Sequence, residues 1–333
     1  MTVKIAINGF GRIGRLVGRI ALQRDDLELV AVNDIGSIKA SSHLFKYDSI
    51  HGEYKGTVSC DNENLIIDGK KIKYLSVKNP SELPWKEMGV SFIVEGTGKF
   101  RSRDKAAQHL QAGASKVIIT APGKNVDFTI VMGVNHDKYL PQYDIISNAS
   151  CTTNCLAPVA KVLMEEFGIV KGMMNTIHSY TNDQRVLDLE HNDLRRARAA
   201  AISLIPTTTG AASAVGEVIP ELKGKLDGLA IRVPTPNVSL VDLTVELEKK
   251  ASSEDINKAF QAASQGKMKG ILKYTEEPLV SSDYRGEENS AVVDGLLTMV
   301  MGDRMAKVIA WYDNEWGYSA RVVDAIAYIA GRK

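Results

Sequence analysis

Apolar positions in the first half of the chain switch repeatedly between two periods. Short runs rich in β-branched residues, "VKIAINGFG", "LELVAVND", "VSFIVEGTG", "KVIITAPG", "FTIVMGV" and "YDIISNAS", end in turn-forming or small polar residues and predict strands. Helical spacing fills the gaps. In "RIGRLVGRIALQRDD", Ile13, Leu16, Val17, Ile20 and Ala21 share a face, and "SRDKAAQHLQAGA" has a Ser or Asp start signal and a Gly stop. This alternation predicts a mostly parallel α/β sheet over residues 1–149.

From residue 150 the pattern changes. The helix-like "LAPVAKVLMEEFG" is followed by long alternating segments, "LDGLAIRVPTPNVSLVDLTVELEK" and "MAKVIAWYDNEWGYS", with no helix inside them, which predicts an α+β domain with a largely antiparallel sheet over 150–314. The end of the chain, about 315–333, reads as an amphipathic closing helix with Val322, Val323, Ile326 and Ile329 on one face.

Composition narrows the function classes. The 333 residues suit two domains, and 41 Lys and Arg against 40 Asp and Glu leave a net charge of +1, with no basic footprint for a nucleic acid. The start, "MTVKIAINGFGRIGRLVGRI", lacks the apolar core of a signal peptide, and no apolar run is long enough for a membrane span, so a cytoplasmic protein is expected. Three cysteines, Cys60, Cys151 and Cys155, make a poor disulfide framework, and in a reducing compartment that shifts weight toward thiol chemistry.

Gly9, Gly11 and Gly14 form a GxGxxG where the first strand passes into the first helix, and Asp34 ends the next strand. The glycines allow a tight turn, close approach of a pyrophosphate and close helix packing, while the Asp accepts from a ribose diol. The first domain is therefore expected to be Rossmann-type and to bind NAD. Gly36, Ser37 and Lys39 supply room, a hydroxyl and a charge for a 2′-phosphate, which leaves NADP use open.

"SNASCTTNC" raises the chemical question. Cys151 is expected in the first turn of a helix, where a lowered pKa would make it a nucleophile, and His178 in "MMNTIHSYTND" offers a base at a strand end. Cys155, one turn further in, reads as a small buried hydrophobe, and a metal site is not expected, because Cys-x3-Cys has no second ligand pair. His43, His51, His109, His136 and His191 are read as surface or structural residues. A thiol beside a nicotinamide suggests aldehyde oxidation through a thioester, and "YTNDQ", "LRRARAAA", "PTTTGAA" and "IRVPTPNVS" offer phosphate-binding groups.

Taken in order, "INGFGRIGR", "SNASCTTNC", "HSYTNDQ", "DLRRARAAA", "PTTTGAA", "RVPTPNVS" and "WYDNEWGYS" resemble the phosphorylating glyceraldehyde-3-phosphate dehydrogenases along the whole chain. The resemblance implies a homotetramer acting in glycolysis and gluconeogenesis, whose closing helix packs back on the first domain and whose loop from about Tyr180 to Ala201 reaches a neighbouring subunit. It implies Cys151 as nucleophile and His178 as base. It also implies Arg12, Ile13, Asp34, Lys78, Thr120, Asn182, Asn314 and Tyr318 at the cofactor, and Thr181 and Arg232 at the substrate's phosphate. Ser150, Thr152, Arg196, Thr209 and Gly210 are implied around substrate and inorganic phosphate.

Some positions depart from the family pattern. Lys78 replaces a common Arg, Gly96 a small residue with a Cβ, and Glu190 a proline usual in NAD-specific members. Alternatives on the same scaffold are an erythrose-4-phosphate dehydrogenase, which hydrolyses its thioester, and a thiol redox sensor or binding protein.

Overall fold

The computed structural model describes residues 2–332. It divides into two compact units. The first takes in the chain up to Ile130, His136–Ala149 and the stretch from Ser319; the second takes in Val131–Asn135 and Ser150–Tyr318.

The first unit has nine strands: β1 (Val3–Asn8), β2 (Leu27–Asn33), β3 (Val58–Cys60), β4 (Asn64–Ile67), β5 (Lys70–Leu75), β6 (Phe92–Glu95), β7 (Lys116–Ile119), β8 (Phe128–Thr129) and β9 (Ile145–Ser147). Its helices are α1 (Arg12–Ala21), α2 (Ile38–Lys46), α3 (Trp85–Met88) and α4 (Arg103–Gln111). The spatial order is β3-β4-β5-β2-β1-β6-β7-β9-β8. Every pair from β5 onward is parallel, and the β3, β4, β5 meander is antiparallel. Ile5, Ala6 and Ile7 of β1 are fully buried, as a central parallel strand requires. After β1 the chain moves to β2 on one side and later to β6 on the other, so the ends of these three strands form a switch-point crevice.

Two local expectations need correction. "FTIVMGV" contributes only the two-residue β8: Ile130 and Val131 are buried, but Asn135 Oδ1 accepts the Val131 N–H at 2.8 Å and the N–H groups of Val134 and Asn135 turn back onto the Val131 carbonyl. Turn bonds have taken the place of a ladder. The meander over 58–75 lay outside the predicted strands, because β3 and β4 are only three and four residues long and β5 opens on Lys70 and Lys71.

The second unit contains α5 (Cys151–Phe167), β10 (Ile169–Ser179), β11 (Ile205–Thr208), α6 (Ala211–Val218), β12 (Leu226–Val233), β13 (Ser239–Leu247) and α7 (Ser253–Gln265). It continues with β14 (Leu272–Thr275), β15 (Ala291–Asp294), β16 (Met299–Met301) and β17 (Met305–Tyr312); α8 (Trp316–Ala330) closes the chain and from Ser319 on belongs to the first unit, as expected for a closing helix that returns there. The sheet order is β11-β12-β10-β13-β17-β15-β14, with β16 on β17. Most pairs are antiparallel, but β10 with β12 and β14 with β15 run parallel, so the sheet is mixed. β13 alternates strictly between buried and half-buried positions, and α5, which buries Cys155, Leu156, Val159 and Leu163, packs on this sheet, with Cys155 Sγ 3.8 Å from the Ala310 carbonyl of β17. The apolar face predicted for α8 is buried, and its start is fixed by Asp313 Oδ1, which accepts from Glu315 and Trp316 N–H at 2.9 and 2.8 Å. Among the described residues no helix is long and apolar enough to cross a membrane, and no cluster of metal-ligating side chains occurs.

Candidate active site

α5 begins at Cys151 because Ser150 caps it: the Ser150 hydroxyl accepts the Thr153 N–H at 3.0 Å. A cap of this kind contributes about 1 kcal/mol. The cysteine is thereby held in the first turn, where unpaired N–H groups and the helix dipole favour negative charge. β10 delivers His178 opposite, with Nε2 3.5 Å from Cys151 Sγ.

The tautomer follows from the neighbours. His178 Nδ1 lies 2.7 Å from the Ser179 carbonyl, which can only accept, so Nδ1 carries the hydrogen and Nε2 presents a lone pair to the sulfur. Arg232 Nη1 donates to the same carbonyl at 3.0 Å and consequently sits 3.1 Å from Nδ1. Ser179 is itself fixed: its hydroxyl donates to the Val238 carbonyl at 2.6 Å and its N–H to Ser239 Oγ at 3.0 Å. Val238 holds φ at +69°, a left-handed conformation that a β-branched residue adopts only under strain, of order 1–3 kcal/mol.

His178 is buried and Cys151 half-buried, and this burial biases their protonation. It lowers His178 to about 3, with the Arg232 charge adding to the effect. Burial also pushes the Cys151 thiol up, against the pull of the Arg232 guanidinium and of hydrogen bonds from Thr152. The lowered thiol pKa expected from the sequence is thus corrected in direction: desolvation outweighs the Arg232 charge and the Thr152 hydrogen bonds.

Beyond the imidazole lies a set of groups suited to an anion. Arg232 Nη1 donates to Thr181 Oγ1 at 3.3 Å, and buried Arg232 Nε and Gln184 Nε2 have no hydrogen-bond partner among the described residues. Buried donors left unpaired by the protein are costly unless a ligand completes them.

In the first unit, a cavity of about 580 Å³ opens at the switch point, lined in part by Gly9, Gly11, Asp34, Ile35, Lys78 and Thr97. That size is typical of small-ligand sites. The three glycines divide the labour. Gly9 has φ +92°, and a Cβ on Gly14 would lie 2.2 Å from the Gly9 carbonyl oxygen, so those two serve the turn and the packing of α1. A Cβ on Gly11 would meet nothing within 4 Å, so its bare face serves the cavity. Asp34 is held at the rim by Phe10 N–H on Oδ2 at 2.7 Å and Gly36 N–H on Oδ1 at 2.8 Å.

Comparison with known proteins decides between the readings of this arrangement. The family profile described as "Glyceraldehyde 3-phosphate dehydrogenase, NAD binding domain" matches residues 3–103, and that described as "Glyceraldehyde 3-phosphate dehydrogenase, C-terminal domain" matches 150–314. A glyceraldehyde-3-phosphate dehydrogenase of Geobacillus stearothermophilus is 62% identical over all of this chain and 99% of that protein. The chain belongs to the glyceraldehyde-3-phosphate dehydrogenase family. Glyceraldehyde-3-phosphate dehydrogenase 2 of Bacillus subtilis is 58% identical over all of this chain and 98% of its own, and the enzyme of Priestia megaterium is 59% identical over all of this chain and 99% of its own. The family is an NAD-dependent, phosphorylating oxidoreductase, and the cavity and its donor set fit NAD.

Within that family frame, several expected contacts have a different local setting. The Arg12 guanidinium is engaged in two bonds to Asp48, at 2.9 and 3.2 Å. Thr152 is buried and its hydroxyl sits 2.9 Å from Tyr312 Oη. Arg196 is paired with Asp183, which it contacts through Nη1, and its Nε donates to Thr207 Oγ1 at 2.9 Å. Thr209 Oγ1 accepts the Ala211 N–H at 3.2 Å, and Gly210 caps α6, where a Cβ would meet nothing. Thr120 donates to the Glu95 carbonyl at 3.2 Å, Asn314 Oδ1 accepts from Ser239 at 2.9 Å, Asn182 lies in the turn after β10, and Tyr318 is buried in the first turn of α8.

Ser179, Val238, Gln184 and Asp183 were not singled out from the sequence. Gln184 and Asp183 lie inside the quoted "YTNDQ", so that motif held a signal. Val238 carried none, since its strain exists only in the folded backbone.

Proposed function

We propose that this chain oxidises D-glyceraldehyde 3-phosphate to 1,3-bisphosphoglycerate with Cys151 as nucleophile and His178 as base. The observation that carries the reading is the 3.5 Å approach of an unprotonated Nε2 to Cys151 Sγ. As the sulfur attacks the aldehyde carbon, its proton passes to Nε2 and returns to the new oxyanion, giving a hemithioacetal. The neutral imidazole then takes the hydroxyl proton as hydride leaves the carbon. NAD, when bound, supplies the hydride acceptor. A phosphate oxygen displaces the sulfur from the resulting thioester, and the thiolate leaves as the acyl phosphate forms.

Arg232, Thr181 and Gln184 supply donors for the substrate's phosphate. Ser150, Arg196, Thr209 and Gly210 are assigned to inorganic phosphate, with Asp183 competing for Arg196. Arg12, Ile13, Asp34, Lys78, Thr120, Asn182, Asn314 and Tyr318 are assigned to the cofactor. NAD is the principal cofactor and NADP a slower one, because Asp34 opposes a 2′-phosphate that Gly36 gives room for. A homotetramer is supported by apolar side chains that stand exposed on the 180–204 loop, among them Val186 and Leu194, and on the sheet, Met173 and Met301. Three free thiols favour a reducing, cytoplasmic setting.

The deciding assay is NADH production from glyceraldehyde 3-phosphate with and without phosphate. Turnover that ignores phosphate or arsenate sinks the proposal in favour of thioester hydrolysis, and a chain with no turnover favours a thiol sensor.

A further inference from the structure

A chain of buried polar side chains runs beneath the nucleotide cavity. Glu95, at the end of β6, is 1% exposed and His109, on α4, is 0% exposed. The Trp85 indole can only donate, and its Nε1 lies 3.1 Å from His109 Nδ1, so the hydrogen of His109 is on Nε2. Nε2 donates to Glu95 Oε2 at 3.0 Å, and Asn8 Nδ2 donates to the same oxygen at 2.6 Å. The other oxygen accepts the Thr97 N–H at 2.9 Å and the Thr97 hydroxyl. Four donors face this carboxylate. On its far side Asn8 Oδ1 accepts from Asn33 Nδ2 at 2.7 Å, and Asn33 exchanges two 2.9 Å bonds with the main chain of Val77.

We infer that Glu95 and His109 are positioning residues for dinucleotide binding, a polar bolt that sets the spacing of the ends of β2, β1 and β6. This rests on the reading of the cavity as the NAD site. Asn8, Asn33, Val77 and Thr97 line the cavity and are all members of the chain, and Phe100, another lining residue, places its ring 6.4 Å from that of His109. Packing alone does not call for it. Ala6, Ile93, Ala106 and Val117 already make an apolar core around Trp85, and burying a carboxylate there costs stability that an apolar pair of equal volume would not. What the polar chain adds is orientation. It fixes the rotamers of Asn8 and Thr97 at the crevice floor, and its members emerge into the cavity on both sides of β1.

The test compares Glu95→Gln, His109→Leu, His109→Gln and Thr97→Val in the intact enzyme. Expected is a rise of about tenfold or more in the NAD Kd by calorimetry and in the KM for NAD for Glu95→Gln and His109→Leu. The kcat at saturating NAD, the KM for aldehyde and the rate of Cys151 alkylation without NAD should stay within about twofold. His109→Gln, which retains an acceptor and a donor, should recover most of the affinity. Should His109→Leu fail to fold, Glu95→Gln and Thr97→Val carry the test. Unchanged NAD affinity in folded Glu95→Gln and Thr97→Val overturns the inference, as does a loss that falls equally on alkylation and kcat. Gly11→Val separates the two readings: if it leaves NAD binding intact, the cavity assignment is wrong, whereas if it abolishes binding while Glu95→Gln does not, only the bolt falls.

Discussion

Cys151 Sγ lies 3.5 Å from His178 Nε2, and that nitrogen carries no hydrogen because the Ser179 carbonyl holds the hydrogen on Nδ1. The imidazole is thereby poised as an acceptor without first having to lose a proton.

Replacing His178 by Asn removes the acceptor. The kcat is expected to fall by about 10²–10⁴, and alkylation of Cys151 by iodoacetamide should slow at neutral pH. Steady-state turnover and alkylation rates on wild type and His178→Asn check this.

The same histidine makes the fold acid-sensitive. Its pKa is about 3 when folded, against an ordinary value of 6.5, so below pH 6.5 the unfolded chain binds a proton that the folded one refuses. Stability is therefore lost progressively as pH falls from about 6.5 toward 3. Urea unfolding of His178→Asn across that window should show a shallower decline than wild type.

Arg232 serves both the thiol and the anion site. Arg232→Ala should raise the pH midpoint of Cys151 alkylation, since the guanidinium pulls the thiol pKa down, and raise the KM for aldehyde by about tenfold or more. A pH series of alkylation rates read beside the KM separates the two effects.

Asp183 holds Arg196 in an ion pair, and its carboxyl pKa is lowered by that partner against the cost of burial. Asp183→Asn removes the nearer of two carboxylates on the guanidinium, Asp193 Oδ2 remaining 3.5 Å from Nε, so the KM for inorganic phosphate should drop severalfold while the KM for NAD does not move. An unchanged phosphate KM would place the anion elsewhere.

The glycines of the nucleotide loop should separate by phenotype. Gly14→Ala forces a Cβ to 2.2 Å from the Gly9 carbonyl oxygen and should lower Tm by several degrees, while Gly11→Ala meets no protein atom and should weaken NAD binding with Tm unchanged. Thermal unfolding and NAD titration on the two variants decide it.

Much of this site could be read from the chain because its chemistry is local in sequence. The first strand, the glycine turn and α1 are contiguous, and Ser150, Cys151 and Cys155 share one helix whose start signal is visible. What could not be read depends on distant partners. His109 looks like any histidine on a polar helix until Trp85 and Glu95, 24 and 14 residues away, close around it. Likewise nothing in "SNASCTTNC" announces that the Thr152 hydroxyl meets Tyr312, 160 residues on. The thiol pKa was misjudged for a related reason: charge and dipole can be guessed from motifs, but burial is a property of the assembled fold.

Val238 gives the catalytic geometry a bearing on protein engineering. A search for more stable variants that scores backbone comfort would replace this valine with glycine, which accepts φ +69° freely. Relieving the strain would also remove a buried isopropyl group from the cluster it shares with Tyr284 and Val292, and would leave a slacker carbonyl at the Ser179 hydroxyl and, through Ser179, a less certain imidazole tautomer. Heat resistance and turnover should therefore both suffer from that exchange, and position 238 is best held fixed when the rest of the loop is redesigned.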